Sequence, residues 1–194
     1  RKELANSFKG FKLLVHGPTE SFKTGSGLFF PDPEVLDLEF GTVELADLYQ
    51  GKNIGIYECV IMDEILIKGK MQLDIDKVKS MYAFGEAFGE AIRSPSKTII
   101  VDNVSELYDW AMEFMKLEGK GLTKTQVMSS TYKKLMERKD VSTFDFGISN
   151  GIMHDTIMKG LTINKHFYVV ARDDEIWEDN KPSGKFKMAV QKSI

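Results

Sequence analysis

An apolar run at residues 11–16 passes directly into a turn that ends in Lys23-Thr24. Such a run, with almost no polar interruption, is typical of a strand covered on both faces in a parallel sheet. Gly17 and Lys23-Thr24 approximate the pattern G-x-x-x-x-G-K-[ST], in which backbone N–H groups and a helix N-terminus surround phosphate oxygens. A strand, a phosphate-binding loop and a helix at residues 23–30 are therefore predicted, and with them an α/β fold.

The loop pattern assigns a role to each of its residues. Lys23 supplies the ammonium for the β- and γ-phosphates, and the Thr24 hydroxyl is a predicted Mg²⁺ ligand. The full nucleotide-binding set is Gly17, Pro18, Thr19, Glu20, Ser21, Phe22, Lys23 and Thr24. Phe22 stands where the pattern has glycine, and phenylalanine adopts a positive φ less readily than glycine. The loop is thus either a tolerated variant or a damaged one, and the simpler alternative is a strand-to-helix turn capped by Ser21 or Thr19.

Length and composition limit the class of protein. The 194 residues suffice for one well-buried domain, and 42% hydrophobic residues, 28% charged residues and a net charge of -3 describe an ordinary globular protein. The single Cys59 excludes a disulfide within the chain and a cysteine metal cluster, and its apolar surroundings favour a buried, inert thiol. No window approaches the ~18 consecutive apolar residues of a membrane span. We therefore expect a cytoplasmic protein without membrane association.

Two further strand-like runs end in acidic residues. Residues 34–39 form a predicted strand that ends in Glu39, and residues 97–103 contain four consecutive β-branched residues before Asp102. Carboxyl ends of parallel strands meet at the ligand edge of an open α/β sheet, so both acids are expected near the phosphate loop. Asp102 would then reach Mg²⁺ in the Walker B manner. The alternatives are a solvated strand end for Glu39 and a helix cap for Asp102, although Ser105 could cap that helix instead.

The rest of the chain continues the alternation of strands and helices. Hydrophobic periodicity predicts a strand at 53–62 that residues 65–67 extend or turn into a hairpin, helices at 74–93 (capped by Asp74), 106–117, 124–138 and 148–161, a strand at 166–172 and a terminal β-hairpin. His16, His154 and His166 lack metal-ligand spacing and are expected to be structural.

A basic segment interrupts the mildly acidic chain. Between Lys116 and Asp140, seven basic residues (Lys116, Lys120, Lys124, Lys133, Lys134, Arg138, Lys139) stand against three acidic ones (Glu118, Glu137, Asp140). This segment and the lysine-rich tail are candidates for contacts with a phosphate backbone. A solvated helix face is the alternative.

The order of these features resembles the RecA-like branch of P-loop ATPases. It runs strand, loop, helix, strand ending in Asp-x-Glu, helix, strand ending in Asp. The segments KLLVHGPTESFKT, FPDPEVLDLEFGT and KTIIVDNVSELYDWAM are similar to small phage-type RecA-like nucleotide-binding proteins, which include single-strand annealing recombinases. The resemblance covers about residues 11–115.

The resemblance implies one three-layer RecA-like P-loop NTPase domain with a mostly parallel sheet: a lead-in at 1–10, a core at 11–172 and a C-terminal β-hairpin at 173–194. It implies ATP and Mg²⁺ as cofactors, Lys23 and Thr24 as Walker A residues, Asp102 as the Walker B aspartate and Glu39 as the residue that positions or deprotonates water. Arg172 is a candidate for sensing phosphate.

The implied activity is an ATPase acting on single-stranded DNA in phage recombination or replication. Such a protein would be a homo-oligomer, because a neighbouring subunit usually supplies the last cation, and would act in the host cytoplasm if phage-encoded. The alternative is a non-hydrolysing nucleotide-binding or structural module with a degenerate loop. A packaging or helicase-type motor is disfavoured, because no nuclease or additional motor domain is recognisable.

Overall fold

The parallel β-sheet predicted from the apolar runs is present in the protein, whose computed structural model describes residues 10–18, 22–49, 51–67, 70–118, 146–178 and 181–188. In chain order, its elements are β1 (Lys12–Gly17), α1 (Lys23–Gly27), β2 (Pro33–Asp37), α2 (Thr42–Ala46), β3 (Gly55–Glu58), β4 (Met62–Ile67), β5 (Lys70–Ile75), α3 (Lys77–Arg93), β6 (Thr98–Asp102), α4 (Val104–Glu118), α5 (Phe146–Thr162), β7 (His166–Glu178) and β8 (Lys181–Met188).

Five strands form the parallel sheet, in the order β1-β7-β6-β2-β3. The prediction of an α/β fold with a mostly parallel sheet is confirmed. The register places Gly17 beside Arg172 and Asp37 beside Asp102. Because the strands run in the same direction, the carboxyl ends of β1, β6 and β2 and the Arg172 position within β7 lie along one edge of the sheet.

Side chains of β6 and β7 alternate between two apolar clusters, which explains why both strands are continuously apolar in sequence. Ile99 and Phe167 join the cluster that contains Trp110 of α4 and Phe88 of α3. Ile100 and Tyr168 join the cluster on the other face, with Leu28, Val35 and Val170. These two central strands are therefore covered on both faces. Strand β1, which the apolar run at 11–16 predicted to be covered in the same way, is instead an edge strand whose Leu13 and Leu14 are 40% and 53% exposed.

Several element boundaries differ from the prediction. Residues 70–75 form β5, which pairs antiparallel with β4 outside the main sheet, and α3 is capped by Asp76 rather than Asp74. The Asp76 carboxylate accepts the Lys79 backbone N–H at 2.9 Å. Helix α1 ends at Gly27, and β7 runs unbroken into the hairpin with β8, so the core strand is itself the first strand of that hairpin. The predicted helix at 124–138 and most of the basic segment lie outside the described residues.

Two lysines bind helix ends at the amino edge of the sheet. Lys165 is 8% exposed, and its Nζ donates to the Ala91 and Ser94 carbonyls at the end of α3, at 2.5 Å and 2.8 Å. Lys12 Nζ donates to the Gly160 carbonyl at 2.9 Å near the end of α5. Both ammonium groups satisfy carbonyls that a helix leaves without partners at its last turn.

Cys59 is buried, as predicted, and burial together with the nearby Asp37 charge raises the pKa of its thiol to about 12. His166 is also structural, because its Nδ1 accepts the Phe11 backbone N–H at 3.1 Å. Of the helices in the described ranges, none has both the length and the apolarity needed to cross a bilayer.

Candidate functional site

A cavity of about 420 Å³ lies at the carboxyl edge of the sheet. Its volume falls within the range of about 300–1,000 Å³ that small-molecule sites occupy. Six of its lining residues were singled out from the sequence, namely Phe22, Lys23, Thr24, Glu39, Asp102 and Arg172. Four separate segments of the chain therefore contribute the predicted groups to one site.

The Lys23 ammonium is bound by the loop that precedes it. Its Nζ donates to the Gly17 carbonyl at 2.9 Å and to the Pro18 carbonyl at 2.5 Å. Burial lowers the pKa of Lys23, and the Asp102 charge opposes that shift. The remaining predicted loop residues, Thr19, Glu20 and Ser21, lie outside the described residues.

Helix α1 is short and contains two glycines, so it depends on tertiary contacts. Three side chains donate to carbonyls of the helix and its C-cap: the Tyr168 hydroxyl to Lys23 at 2.9 Å, the Tyr49 hydroxyl to Gly25 at 3.0 Å, and Lys52 Nζ to the C-cap Leu28 at 2.8 Å. None of the three donors is recognisable from the sequence as part of the site. Together they fix the helix that carries Lys23 and Thr24.

Phe22 takes the backbone conformation that glycine usually supplies at this position, with φ 57° and ψ 23°. Its ring lies over Gly25, where an added Cβ would stand 2.5 Å from a ring carbon, and its centroid is 6.5 Å from that of Phe29. The side chain is 57% exposed. The ring therefore packs along α1, at the wall of the cavity.

Thr24 and Asp102 meet at the centre of the site. Thr24 Oγ1 donates to Asp102 Oδ2 at 2.6 Å. Burial raises the pKa of Asp102 to about 6; the Thr24 hydrogen bond and the Lys23 charge oppose this rise, and the Asp37 charge adds to it. A carboxylate held in this way next to a hydroxyl gains from a nearby cation.

The Thr24 and Asp102 oxygens are of the hard type that Mg²⁺ prefers, so the donor set fits that ion. Within the described residues, no group of three or more His, Cys, Asp or Glu side chains is arranged to hold a metal. Mg²⁺ typically takes one or two protein ligands and completes its shell with phosphate oxygens and water. An ion here would be held jointly with a phosphorylated ligand.

Glu39 lies in the loop two residues beyond the end of β2, and Arg172 pairs with it. Arg172 Nη2 forms ion pairs with Glu39 and, at 3.2 Å, with Glu106 of α4. The Arg172 backbone N–H donates to Ser105 Oγ at 3.0 Å. The predicted phosphate sensor is thus bound to two carboxylates at the cavity wall.

Two residues at this edge of the sheet belong to the site although the sequence assigned neither of them a role there. Asn103 lines the cavity, and its Oδ1 accepts the Glu106 N–H at 2.8 Å, which caps α4. The alternative that Asp102 or Ser105 caps this helix is therefore wrong; the spacing Asn-x-x-Glu was the available signal. Asp37 is the second, and its carboxylate binds the loop that carries Glu39.

The site combines a cation beside a loop, a hydroxyl and a carboxylate suited to Mg²⁺, and a second carboxylate that could act on water. These groups are the ones that phosphoryl transfer requires for positioning and charge neutralisation. The α/β architecture hosts many activities, so these side chains, and not the fold, distinguish one function from another. Comparisons with protein families, with curated proteins and with solved structures find no match for this chain.

Proposed function

We propose that the chain is a RecA-like P-loop protein that binds ATP with Mg²⁺ in this cavity and hydrolyses it. The observation that carries the proposal is the hydrogen bond between Thr24 and Asp102, which lie 78 residues apart in sequence. If Lys23-Thr24 followed β1 only by chance, a hydrogen bond from Thr24 to the aspartate at the end of β6 would not be expected. A Walker A threonine and a Walker B aspartate are expected to lie in contact, because both bind the same cation.

Lys23 is the proposed phosphate-binding cation. Its ammonium donates to the Gly17 and Pro18 carbonyls. These two hydrogen bonds hold the Lys23 side chain against the start of the loop, from where its ammonium would bind a phosphate. A phosphate oxygen is a stronger acceptor than a neutral carbonyl, so the ammonium would exchange partners when nucleotide binds.

Thr24 and Asp102 are the proposed Mg²⁺ ligands. When bound, the ion would neutralise charge on the β- and γ-phosphate oxygens. The buried Asp102 carboxylate would keep the negative charge that attracts the ion, and Thr24 would supply a neutral oxygen beside it.

Glu39 is the proposed residue that orients or deprotonates the attacking water. It is held by Arg172, which also contacts Glu106. A γ-phosphate would compete with Glu39 for the guanidinium, because phosphate accepts two parallel N–H bonds from arginine. Nucleotide binding would thereby free Glu39 for the water and move Arg172 towards the developing charge.

Single-stranded DNA, a homo-oligomeric assembly and a role in phage recombination or replication complete the proposal, and they come from the family resemblance. The second candidate is a nucleotide-binding module that does not hydrolyse, which Phe22 in the glycine position favours. The ring of Phe22 packs against Gly25 at the wall of the cavity, which supports the hydrolytic candidate.

Steady-state ATP turnover, measured with and without single-stranded DNA, separates the two candidates. The proposal predicts turnover by the wild type that rises when DNA is added, and that falls by about 100-fold or more in Glu39→Gln while ATP affinity is nearly unchanged. Phe22→Gly is the companion variant and should retain turnover. A wild type that binds ATP but never hydrolyses it would defeat the hydrolytic candidate and leave the binding module.

A further inference from the structure

We infer that Asp37 is a positioning residue that sets the loop carrying Glu39, an inference that rests on the proposed function. Asp37 is the last residue of β2 and is 1% exposed. Its Oδ1 accepts the Glu39 backbone N–H, and its Oδ2 accepts the Thr42 backbone N–H, both at 2.9 Å. One carboxylate therefore binds the loop on both sides of its turn.

The hydrogen bonds of Asp37 distinguish it from the proposed cation ligand beside it. Asp37 and Asp102 are paired in register across β2 and β6. Both oxygens of Asp37 are taken by backbone donors, whereas Asp102 Oδ2 accepts a side-chain hydroxyl that is itself a potential Mg²⁺ ligand. Asp37 thus acts on the backbone of the loop, and Asp102 is left to meet the cation.

The loop needs such an anchor because its own backbone is strained. Phe40, directly after Glu39, has φ 61°, in the left-handed region that disfavours a side chain with a Cβ. The Phe40 side chain is 48% exposed, so burial of its ring does little to hold it in place. The two Asp37 bonds lie on either side of Phe40. These two hydrogen bonds hold the strained turn and so fix the direction in which the Glu39 side chain points.

A buried carboxylate is a costly way to hold a turn unless its oxygens are hydrogen-bonded, as both oxygens of Asp37 are. Its advantage is that one side chain accepts two N–H groups with charge-assisted bonds, which an amide in the same place cannot do. In Asp37→Asn, one oxygen becomes an NH₂ group that faces an N–H donor. One of the two anchors is then lost, while the shape of the side chain is kept.

The consequence concerns turnover rather than binding. The groups proposed to hold the nucleotide and its Mg²⁺ are Lys23, Thr24 and Asp102. The two hydrogen bonds of Asp37 go to the loop backbone and not to these side chains, and Asp37 acts on Asp102 through its charge, which raises the pKa of Asp102. Misplacement of Glu39 by a fraction of an ångström to an ångström should lower kcat by about 10- to 100-fold. The dissociation constant for Mg·ATP should change by less than about threefold, because the phosphate-binding groups are intact.

The test measures kcat, the Mg·ATP dissociation constant and the urea unfolding midpoint for the wild type, Asp37→Asn and Glu34→Gln. Glu34 is the matched control: it lies on the same strand at the opposite end, and its carboxylate also accepts two hydrogen bonds, from Ser94 and Ser96. The expected result is a lowered kcat with unchanged affinity in Asp37→Asn alone. Asp37→Ser, which keeps one acceptor, serves if Asp37→Asn does not fold.

Three results would overturn the positioning role of Asp37, and a fourth would refute the proposed function. An Asp37→Asn protein with wild-type kcat overturns the positioning role, as does a loss of kcat that Glu34→Gln reproduces at equal loss of stability. A loss of Mg·ATP affinity as large as the loss of kcat also overturns it, because the residue would then serve the whole site. Absence of turnover in the wild type instead refutes the proposed hydrolytic function, and the inference with it.

Discussion

Thr24 and Asp102 form a hydrogen bond of 2.6 Å that joins helix α1 to the end of β6. Helix α1 follows the loop after β1, and β6 is not adjacent to β1 in the sheet, because β7 lies between them. The bond therefore connects two segments that strand pairing does not bring together. The carboxylate that accepts it is buried, and burial is the main reason that its pKa is raised to about 6. The cost of this arrangement in the ligand-free protein can be measured.

The first prediction is that Asp102→Asn stabilises the ligand-free protein at pH 8, by about 1–3 kcal/mol. The folded-state pKa lies above the unfolded value, so the folded state binds more protons and wild-type stability falls as pH rises from about 4 to about 6. The gain from Asp102→Asn should therefore be about 1 kcal/mol smaller at pH 5 than at pH 8. Urea unfolding at the two pH values measures this difference.

Asp155→Asn is the control for that experiment, because the Asp155 side chain is 72% exposed. It should change stability little at either pH. An Asp102→Asn protein that is less stable than the wild type at pH 8, or whose gain does not depend on pH, would contradict the assignment of a desolvated carboxylate.

The second prediction concerns Phe22 and Gly25. A Cβ at position 25 would stand 2.5 Å from the Phe22 ring, so Gly25→Ala should destabilise the wild type by about 1 kcal/mol as the ring is displaced. In a Phe22→Gly background the clash is gone, and alanine is the better helix former by up to about 1 kcal/mol. The same substitution should then be neutral or stabilising.

A double-mutant cycle over these two positions, followed by thermal or urea unfolding, measures the coupling. Equal effects of Gly25→Ala in both backgrounds would show that the ring does not pack over the helix. In that case the conformation given for Phe22 is wrong.

The third prediction is that Lys165→Met destabilises the fold by about 2–4 kcal/mol and leaves nucleotide binding intact. The substitution removes the donor for the Ala91 and Ser94 carbonyls at the end of α3. It does so at the amino edge of the sheet, opposite the cavity. Lys97→Met is the control, since the Lys97 side chain is 62% exposed and should contribute less than about 1 kcal/mol.

Urea unfolding of Lys165→Met and Lys97→Met gives the two free energies. Equal, small effects would show that the buried ammonium contributes nothing beyond an exposed one. A loss of nucleotide affinity in Lys165→Met, with the fold intact, would contradict the separation of the two edges.

The sequence predicts strands correctly where burial on both faces requires a continuous run of apolar residues. Strands β6 and β7 are covered on both faces, so their apolar runs were recognisable, and the acid at the end of β6 followed from its place in the run. Strand β5 was not predicted. Its Met71 and Leu73 are 59% and 66% exposed, so burial does not impose an alternation of apolar and polar residues on this strand. Helix α2 has five residues, too few to show a helical period.

Within the site, the sequence predicted residues but not their mutual contacts. Lys23, Thr24, Glu39 and Asp102 line one cavity because the parallel strands end at one edge, which is a property of the fold class. The ion pair of Arg172 with Glu39 and the two hydrogen bonds of Asp37 depend on loop conformation and strand register. A single sequence does not specify either of these.

The most direct test of the central claim is equilibrium titration of the intact chain with Mg·ATP. Binding should saturate at one site per chain in the wild type and in Lys97→Ala, whose altered side chain is exposed at the other edge. Lys23→Ala should bind at least about tenfold more weakly, because a charge-assisted contact to phosphate is lost. No binding by the wild type, or equal affinity in Lys23→Ala, would contradict the assignment of this cavity as a nucleotide site.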